Sequence, residues 1–186
     1  IAVAIVKHNN PCGVALGKEY TAVFEQALSG DPQSAFGGIV AFNGTVDRAT
    51  ALKASEVFLE VILAKAFTQD ALAVFSAKKN LRLIEWSTPH LLPYEIRPSL
   101  GGWLLQTTDS LGTTMSAYKT VTKTKVPDKL WADIKFAWLV AKHVKSNAIV
   151  LTRGLKTIGI GAGQMSRVEA VELALKKAKA HTLEGS

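Results

Sequence analysis

The chain has a single cysteine. That excludes an internal disulfide framework and points to a reducing compartment, with the cytoplasm as the expected location. No apolar run approaches the length of a membrane span, and no signal-peptide pattern opens the chain. An initiating methionine is missing too. The chain begins Ile1-Ala2-Val3-Ala4, inside an apolar run, and is read as a fragment of a longer protein. Internal repeats and low-complexity tracts are absent. There is also no arginine-rich tract and no aromatic ladder among the lysines, the usual marks of a nucleic-acid groove.

What is there is globular. Hydrophobic residues make up 48% and charged residues 20% of 186 positions, enough for an ordinary domain with a real core. The formal charge of +7 favours anionic partners. Phosphate or carboxylate small molecules suit that balance as well as nucleic acid does, and charge alone does not choose.

One stretch concentrates chemistry: Lys7-His8-Asn9-Asn10-Pro11-Cys12-Gly13. It follows the apolar run Ile1 to Val6, which reads as a buried strand. Pro11 and Gly13 predict an end to regular pairing, so residues 7–19 are expected to turn into irregular structure. An amine, an imidazole and two amides then sit together at a strand end, where α/β sheets bind ligands. Lysine beside histidine handles protons near neutral pH if burial lowers the lysine pKa. The alternative is a solvated turn.

Further along, Tyr20 to Leu28 predicts a short helix stopped by Ser29-Gly30-Asp31-Pro32. Ser34-Ala35-Phe36-Gly37-Gly38-Ile39-Val40-Ala41-Phe42 predicts a strand entered through paired glycines. Such a pair admits a close backbone or a flat ligand, or simply marks a bulge. A helix over Asp47 to Val57, a strand over Glu60 to Ala64, a helix over Thr68 to Lys79 and a strand over Leu81 to Glu85 follow. Glu60 at its strand mouth is either functional or a solvated strand end. This alternation is that of an α/β domain. Residues 86–100, with Pro89, Pro93 and Pro98, predict an irregular connection between two lobes, 1–98 and 99–186. A strand resumes over Gly101 to Gln106, and residues 107–126 show no period. A helix from Pro127 is expected to bury Leu130, Ile134, Ala137, Trp138, Ala141 and Val144. Trp131 and Trp138 are read as core rather than as a stacking platform. Strands over Ala148 to Leu151 and Thr157 to Ile160 flank a turn at Gly154.

The second chemical stretch is Ile158-Gly159-Ile160-Gly161-Ala162-Gly163-Gln164-Met165-Ser166-Arg167-Val168-Glu169. It predicts strand, glycine turn and helix. Ser166 and Glu169 have capping-box spacing, and Val168, Val171, Leu175 and Ala178 are the expected buried face. A glycine turn at a helix start offers backbone N–H groups to an anion, and Arg167 adds a cationic fork. Familiar cofactor loops do not fit. A dinucleotide fingerprint fails because Gln164 stands where its third glycine belongs. No Gly-Lys-Ser/Thr exists for a Walker loop. A zinc deaminase needs Pro-Cys-x-x-Cys, but Ala15 follows Pro11-Cys12 at the required spacing, so no catalytic metal is expected.

Together these stretches resemble the AICAR transformylase family, the formyltransferase domain of PurH-type bifunctional purine-biosynthesis proteins. The matching stretches are Lys7 to Gly13, Ser34 to Ala41, Glu56-Val57-Phe58-Leu59-Glu60-Val61-Ile62, Lys145-Ser146-Asn147-Ala148-Ile149-Val150, and Gly159 to Arg167. They occur in the family's order over nearly the whole chain, in wording closer to the bacterial type.

The resemblance implies a cytidine-deaminase-like α/β fold, a mixed sheet flanked by helices, without the deaminase zinc. It implies formyl transfer from 10-formyltetrahydrofolate, the co-substrate, to the 5-amino group of 5-aminoimidazole-4-carboxamide ribonucleotide (AICAR), a step of IMP biosynthesis. Lys7, His8 and Asn147 match catalytic positions. His8 would assist proton loss from the attacking amine, Lys7 would protonate the leaving folate nitrogen or steady charge, and Asn147 would stabilise the oxyanion. Phe36, Gly37, Glu60, Gln164 and Arg167 are implied substrate-binding residues. A homodimer is implied, with apolar Leu91-Leu92 in support, and neither membrane nor nucleic acid is an implied partner. The family's upstream Arg-Tyr segment would precede Ile1, and a phenylalanine-rich segment would follow Ser186. The family's cyclohydrolase domain would likewise lie outside this stretch. Weak substrate binding and little turnover are therefore expected of this stretch alone. The competing reading, from charge, is a nucleotide- or RNA-binding module without catalysis. It predicts salt-dependent binding that survives Lys7→Ala.

Overall fold

The computed structural model describes residues 1–87, 92–109 and 118–179. Ala2–Lys7 (β1) and Asn10–Leu16 (β2) form an antiparallel hairpin. The expectation of irregular structure over 7–19 is thus corrected. Pro11 enters the sheet at a register shift: Val6 pairs with Pro11 while Ile5 pairs with Gly13, leaving Cys12 as an extra residue. A bulge tolerates a proline that a regular central strand would not.

The helix Tyr20–Gly30 (α1) and a single turn, Pro32–Ala35 (α2), precede Gly38–Phe42 (β3). Asp31 caps α2 through Ser34 N–H at 2.9 Å. A short Thr45–Val46 strand (β4) leads to Arg48–Ser55 (α3), capped by Asp47. Leu59–Ala64 (β5), Ala66–Phe67 (β6), Gln69–Phe75 (α4, capped by Thr68) and Arg82–Glu85 (β7) complete this run.

Next come Tyr94–Ser99 (β8) and Gly102–Thr107 (β9), a separate two-stranded hairpin. β8 corrects the irregular connection expected over residues 86–100, where prolines argue against a long helix. Pro98 is accommodated there because a two-stranded ribbon is all edge. Residues 88–91, including Leu91 of the apolar pair, and 110–117 within the aperiodic stretch lie outside the described residues.

A 3-10 turn at Asp128–Leu130 starts Trp131–Lys142 (α5), followed by Ile149–Arg153 (β10), Lys156–Gly161 (β11) and Arg167–Ala178 (α6). The main sheet has seven strands in the order β10-β11-β2-β1-β3-β5-β7. Its β3, β5 and β7 are mutually parallel, and the other pairings are antiparallel. This is the expected α/β fold with a mixed sheet flanked by helices. It draws strands from both sides of residue 98.

The principal core lies on one face. Val3, Ile5, Val40, Phe42 and Ile62 pack there against Phe24, Ala51 and Phe75 from α1, α3 and α4. α6 lies on the same side, tied to α1 and α2 by an ion pair between Lys177 and Asp31 at 2.8 Å. Among the described residues, the opposite face carries α5 alone, whose Phe136, Val140 and Val144 meet Ile160 from β11.

Two expected helix faces are corrected. In α5, Trp138 is 59% and Ile134 37% exposed, and Trp138 meets Tyr118 edge-on at 5.9 Å instead of entering the core. Apolar residues nearly encircle α5, so periodicity alone could not select the Phe136–Val140–Val144 stripe. In α6 the buried residues are Ala170, Ala174 and Ala178, while Val168 is 65% exposed. A Cβ added at Gly161 would lie 1.9 Å from Ala170 O, and one at Gly159 would lie 2.2 Å from Ala174 O. Helix and strand approach so closely that only alanine fits between them.

Beyond α5, the second face of β1, β3, β5 and β7 bears Val6, Ile39, Ala41, Val61, Leu63 and Ile84. No helix among the described residues lies across these strands on that side. None of the described helices is long and apolar enough to cross a membrane.

Candidate active site

The β1–β2 hairpin turns through His8 (φ 49°) and Asn9 (φ 63°), between the paired Lys7 and Asn10. Positive φ at both positions is the requirement of a tight two-residue hairpin turn. His8 is therefore an exposed tip residue, and Lys7 is the half-buried last residue of a central strand.

Lys7 Nζ donates to Phe36 O and to Gly37 O, each at 2.8 Å. Gly37 presents its carbonyl by adopting φ +66°, and its N–H donates to Phe58 O at 2.7 Å. A Cβ at Gly37 would stand 2.9 Å from Lys7 Nζ. The glycine pair is expected to admit a backbone or a flat ligand, or to mark a bulge; Gly37 admits the lysine amine, Gly38 admits the Ala35 carbonyl, and a register shift falls between Gly38 and Ile39. The Phe36 and Phe58 rings pack beside the lysine with centroids 5.1 Å apart, and both remain more than half exposed. Phe58 had no role in the sequence reading. Its only sequence signal was membership of a matching stretch.

Glu60 is exposed. Gly38 pairs with Leu59 and Ile39 with Val61, so Glu60 is skipped by the register. Such an irregularity redirects a side chain at the mouth of a strand.

A second group gathers at the other end of the chain. Asn147 Nδ2 donates to Gln164 O and Met165 O, both at 3.0 Å. Gly163 N–H donates to Lys145 O at 2.7 Å, which fastens residues 145–147 to the loop after β11. Lys145 N–H also donates to Asn10 Oδ1 at 2.9 Å, linking this loop to the hairpin that carries His8. Arg167, the first residue of α6, is exposed and forms no ion pair among the described residues.

The structure therefore joins Lys7, Phe36 and Gly37 in one contact and Asn147 and Gln164 in another. Glu60 and Arg167 hydrogen-bond to neither group among the described residues. The start of α6 is already satisfied: Ser166 Oγ accepts from Val168 N–H, and the Glu169 carboxylate accepts from Ser166 N–H. The capping box expected from spacing is present, and it occupies N–H groups that sequence offered to an anion.

Cys12 is buried in this region, its Sγ donating to Ile5 O at 3.5 Å. Burial, reinforced by the nearby Asp31 charge, pushes its thiol up to about 11. It is a packing residue and not a nucleophile.

A family model described as the AICARFT/IMPCHase bienzyme matches residues 1–177. The chain belongs to this bienzyme family. Among its relatives, a bifunctional purine biosynthesis protein PurH from Desulfitobacterium hafniense is 48% identical over 180 residues, covering 95% of this chain and 35% of the relative. The PurH of Prochlorococcus marinus is 45% identical over 183 residues, covering 96% and 35%. That of Paracoccus denitrificans is 47% identical over 184 residues, covering 96% and 34%. The chain thus spans about a third of the length of these AICARFT/IMPCHase relatives, and the hairpin, the Lys7 cradle and the Asn147 loop all fall within the matched residues.

Proposed function

We propose that this chain carries part of a site that transfers the formyl group of 10-formyltetrahydrofolate to the 5-amino group of AICAR, in purine (IMP) biosynthesis. The observation that carries the reading is Lys7 Nζ held between Phe36 O and Gly37 O, next to an imidazole at an exposed hairpin tip. Family membership supports it.

The reaction joins the amine nitrogen to the formyl carbon and breaks the bond from that carbon to N10 of the folate. A proton leaves the amine and one is delivered to N10. An ammonium has three hydrogens. Two of those on Lys7 are directed at carbonyls, so one is left for the leaving nitrogen or for charge on the tetrahedral intermediate. His8, exposed at the tip, is suited to take the amine proton. Asn147 needs a different role from the expected oxyanion donor. Both Nδ2 hydrogens point at carbonyls, so Oδ1 is its available group and accepts an N–H from the substrate. Arg167 suits the nucleotide phosphate, and Phe36, Gly37, Glu60 and Gln164 line the approach.

The working form is proposed to be a cytoplasmic homodimer. Parallel strands normally have both faces covered, and here β3, β5 and β7 have one bare face among the described residues. The β8–β9 hairpin is also amphipathic. Its Tyr94, Ile96, Trp103 and Leu105 share one face and are each more than half exposed.

Tetrahydrofolate release by the full-length protein tests the reading. Lys7→Ala and His8→Ala are each expected to lower kcat by roughly a hundredfold or more with the fold retained. Near wild-type rates in Lys7→Ala, His8→Ala and Asn147→Ala would overturn the assignment.

A further inference from the structure

The candidate site consists of two hydrogen-bonded groups, one around Lys7 and one around Asn147, and one side chain borders both. Asn10 opens β2 and pairs with Lys7 across the turn of His8 and Asn9. Its Nδ2 donates to His8 O at 3.4 Å, and its Oδ1 accepts the Lys145 N–H at 2.9 Å. Lys145 O in turn accepts from Gly163 N–H at 2.7 Å. The Asn147 and Gln164 backbones exchange hydrogen bonds at 3.0 and 3.4 Å. A continuous path thus leads from the His8 turn, through one amide, to the loop of Asn147.

The sheet ladder joins these strands at the other end. Among the described residues, β2 and β11 share a single register pair, Lys156 with Ala15. Beside it, Val14 N–H donates to Thr157 Oγ1 at 2.9 Å and Leu16 N–H to Leu155 O at 2.9 Å. Val14 lies four residues from Asn10, roughly 13 Å along an extended strand. Two strands bonded at one end are free to splay at the other. A primary amide suits the task of closing that end, because it accepts at one atom and donates at the next.

We propose that Asn10 is a positioning residue, which sets the separation of the His8 imidazole from Asn147 by tying the hairpin turn to residue 145. It touches no reacting atom. The role rests on the formyltransferase reading, in which His8 takes a proton from the substrate that Asn147 Oδ1 holds. Both groups meet one bound molecule, so their spacing has to be held. A displacement of about 1 Å costs up to about a hundredfold in rate.

The test uses the full-length protein and its Asn10→Ala, Asn10→Asp, His8→Ala and His8→Ala/Asn10→Ala variants. Asn10→Ala removes both side-chain hydrogen bonds. It is expected to lower kcat for tetrahydrofolate release about tenfold, with KM changed less than about threefold. Asn10→Asp keeps an acceptor for the Lys145 N–H and is expected to hold kcat within about threefold of wild type. In the His8→Ala background, Asn10→Ala is expected to lower kcat less than about twofold further, because no imidazole is left to place. A change that merely loosened the fold would act equally in both backgrounds. Amide hydrogen exchange reads the tie without any reaction: exchange at Lys145 is expected to quicken about tenfold in Asn10→Ala and to stay slow in Asn10→Asp. Wild-type kcat in Asn10→Ala, a full tenfold further loss in the double variant, or unchanged exchange at Lys145 would each overturn the proposal. Should the alanine variant fail to fold, a tenfold loss of kcat in Asn10→Asp, or exchange at Lys145 of the wild type as fast as in an unfolded chain, overturns it instead. The two readings fail separately. Retained turnover in His8→Ala sinks the role given to the imidazole, whereas lost turnover there beside wild-type turnover in Asn10→Ala sinks the positioning role alone.

Discussion

His8 holds a left-handed backbone conformation that costs a non-glycine residue about 1 kcal/mol. Asparagine is among the residues best suited to such a turn position. His8→Asn is therefore expected to raise stability by roughly 0.5 kcal/mol in urea unfolding while lowering tetrahydrofolate release at least about a hundredfold. Stability and turnover moving in opposite directions would mark the imidazole as present for chemistry. A variant that loses stability and keeps turnover would make it a turn residue only. At this scale the sequence was informative about which side chains gather and silent about how they are held. The Lys7–His8 pair is legible as adjacent letters. The cradle of Phe36 O and Gly37 O is not, because backbone carbonyls are common to every residue and only the fold aims them. The same holds for Asn147, whose amide hydrogens are committed by contacts no letter encodes.

Between elements, the decisive contact is α6 against β11. Gly159-x-Gly161 looks like part of a phosphate loop in sequence, yet both glycines lie within the strand and serve the approach of the helix. Gly161→Ala would press a methyl into Ala170 O, a backbone atom that cannot swing away. A loss of about 3 kcal/mol is expected in denaturant unfolding. Gly163→Ala is the control: nothing lies within 4 Å of its added Cβ, and only the strain of φ +68° is felt, about 1 kcal/mol. Equal losses in the two variants would mean that the close approach is not what the glycines serve. Ranking residues by hydrophobicity chose Val168, Val171, Leu175 and Ala178 as the buried face of α6; only Ala178 belongs to the buried alanine stripe, and Ala170 and Ala174 were missed. A tight helix–strand contact selects small volume over apolar area. Strands fared better: β1, β3, β5, β7, β10 and β11 were all readable as short apolar runs. β2 and β8 were not, because each contains a proline that only a bulge or a free edge excuses.

Across the whole molecule, Asp31 and Lys177 join segments that lie far apart in the chain. Burial opposes ionisation of Asp31, but hydrogen bonds from Lys177 and Ser34 outweigh it and hold the carboxyl below its ordinary range. A carboxyl depressed in the folded state lends stability that is complete above the ordinary carboxylate pKa and is lost as pH falls through the folded value. Asp31→Asn is expected to cost about 2 kcal/mol at pH 7, with the gap to wild type closing progressively below about pH 4. Urea unfolding at a series of pH values reads this directly, and a gap that stays constant down to pH 2 would assign the loss to packing. The sheet order that brings β10 and β11 beside β2 could not be read from local pattern, since pairing across more than a hundred residues leaves no local trace. The bare face of β3, β5 and β7 bears on which substitutions the chain can accept. In a strand with one wet face, every second position is free to drift toward polar residues. If a partner surface covers this face, neither parity has that freedom. Ile39, Val61 and Ile84 would then answer to a neighbour's shape as strictly as Val40 and Ile62 answer to their own core.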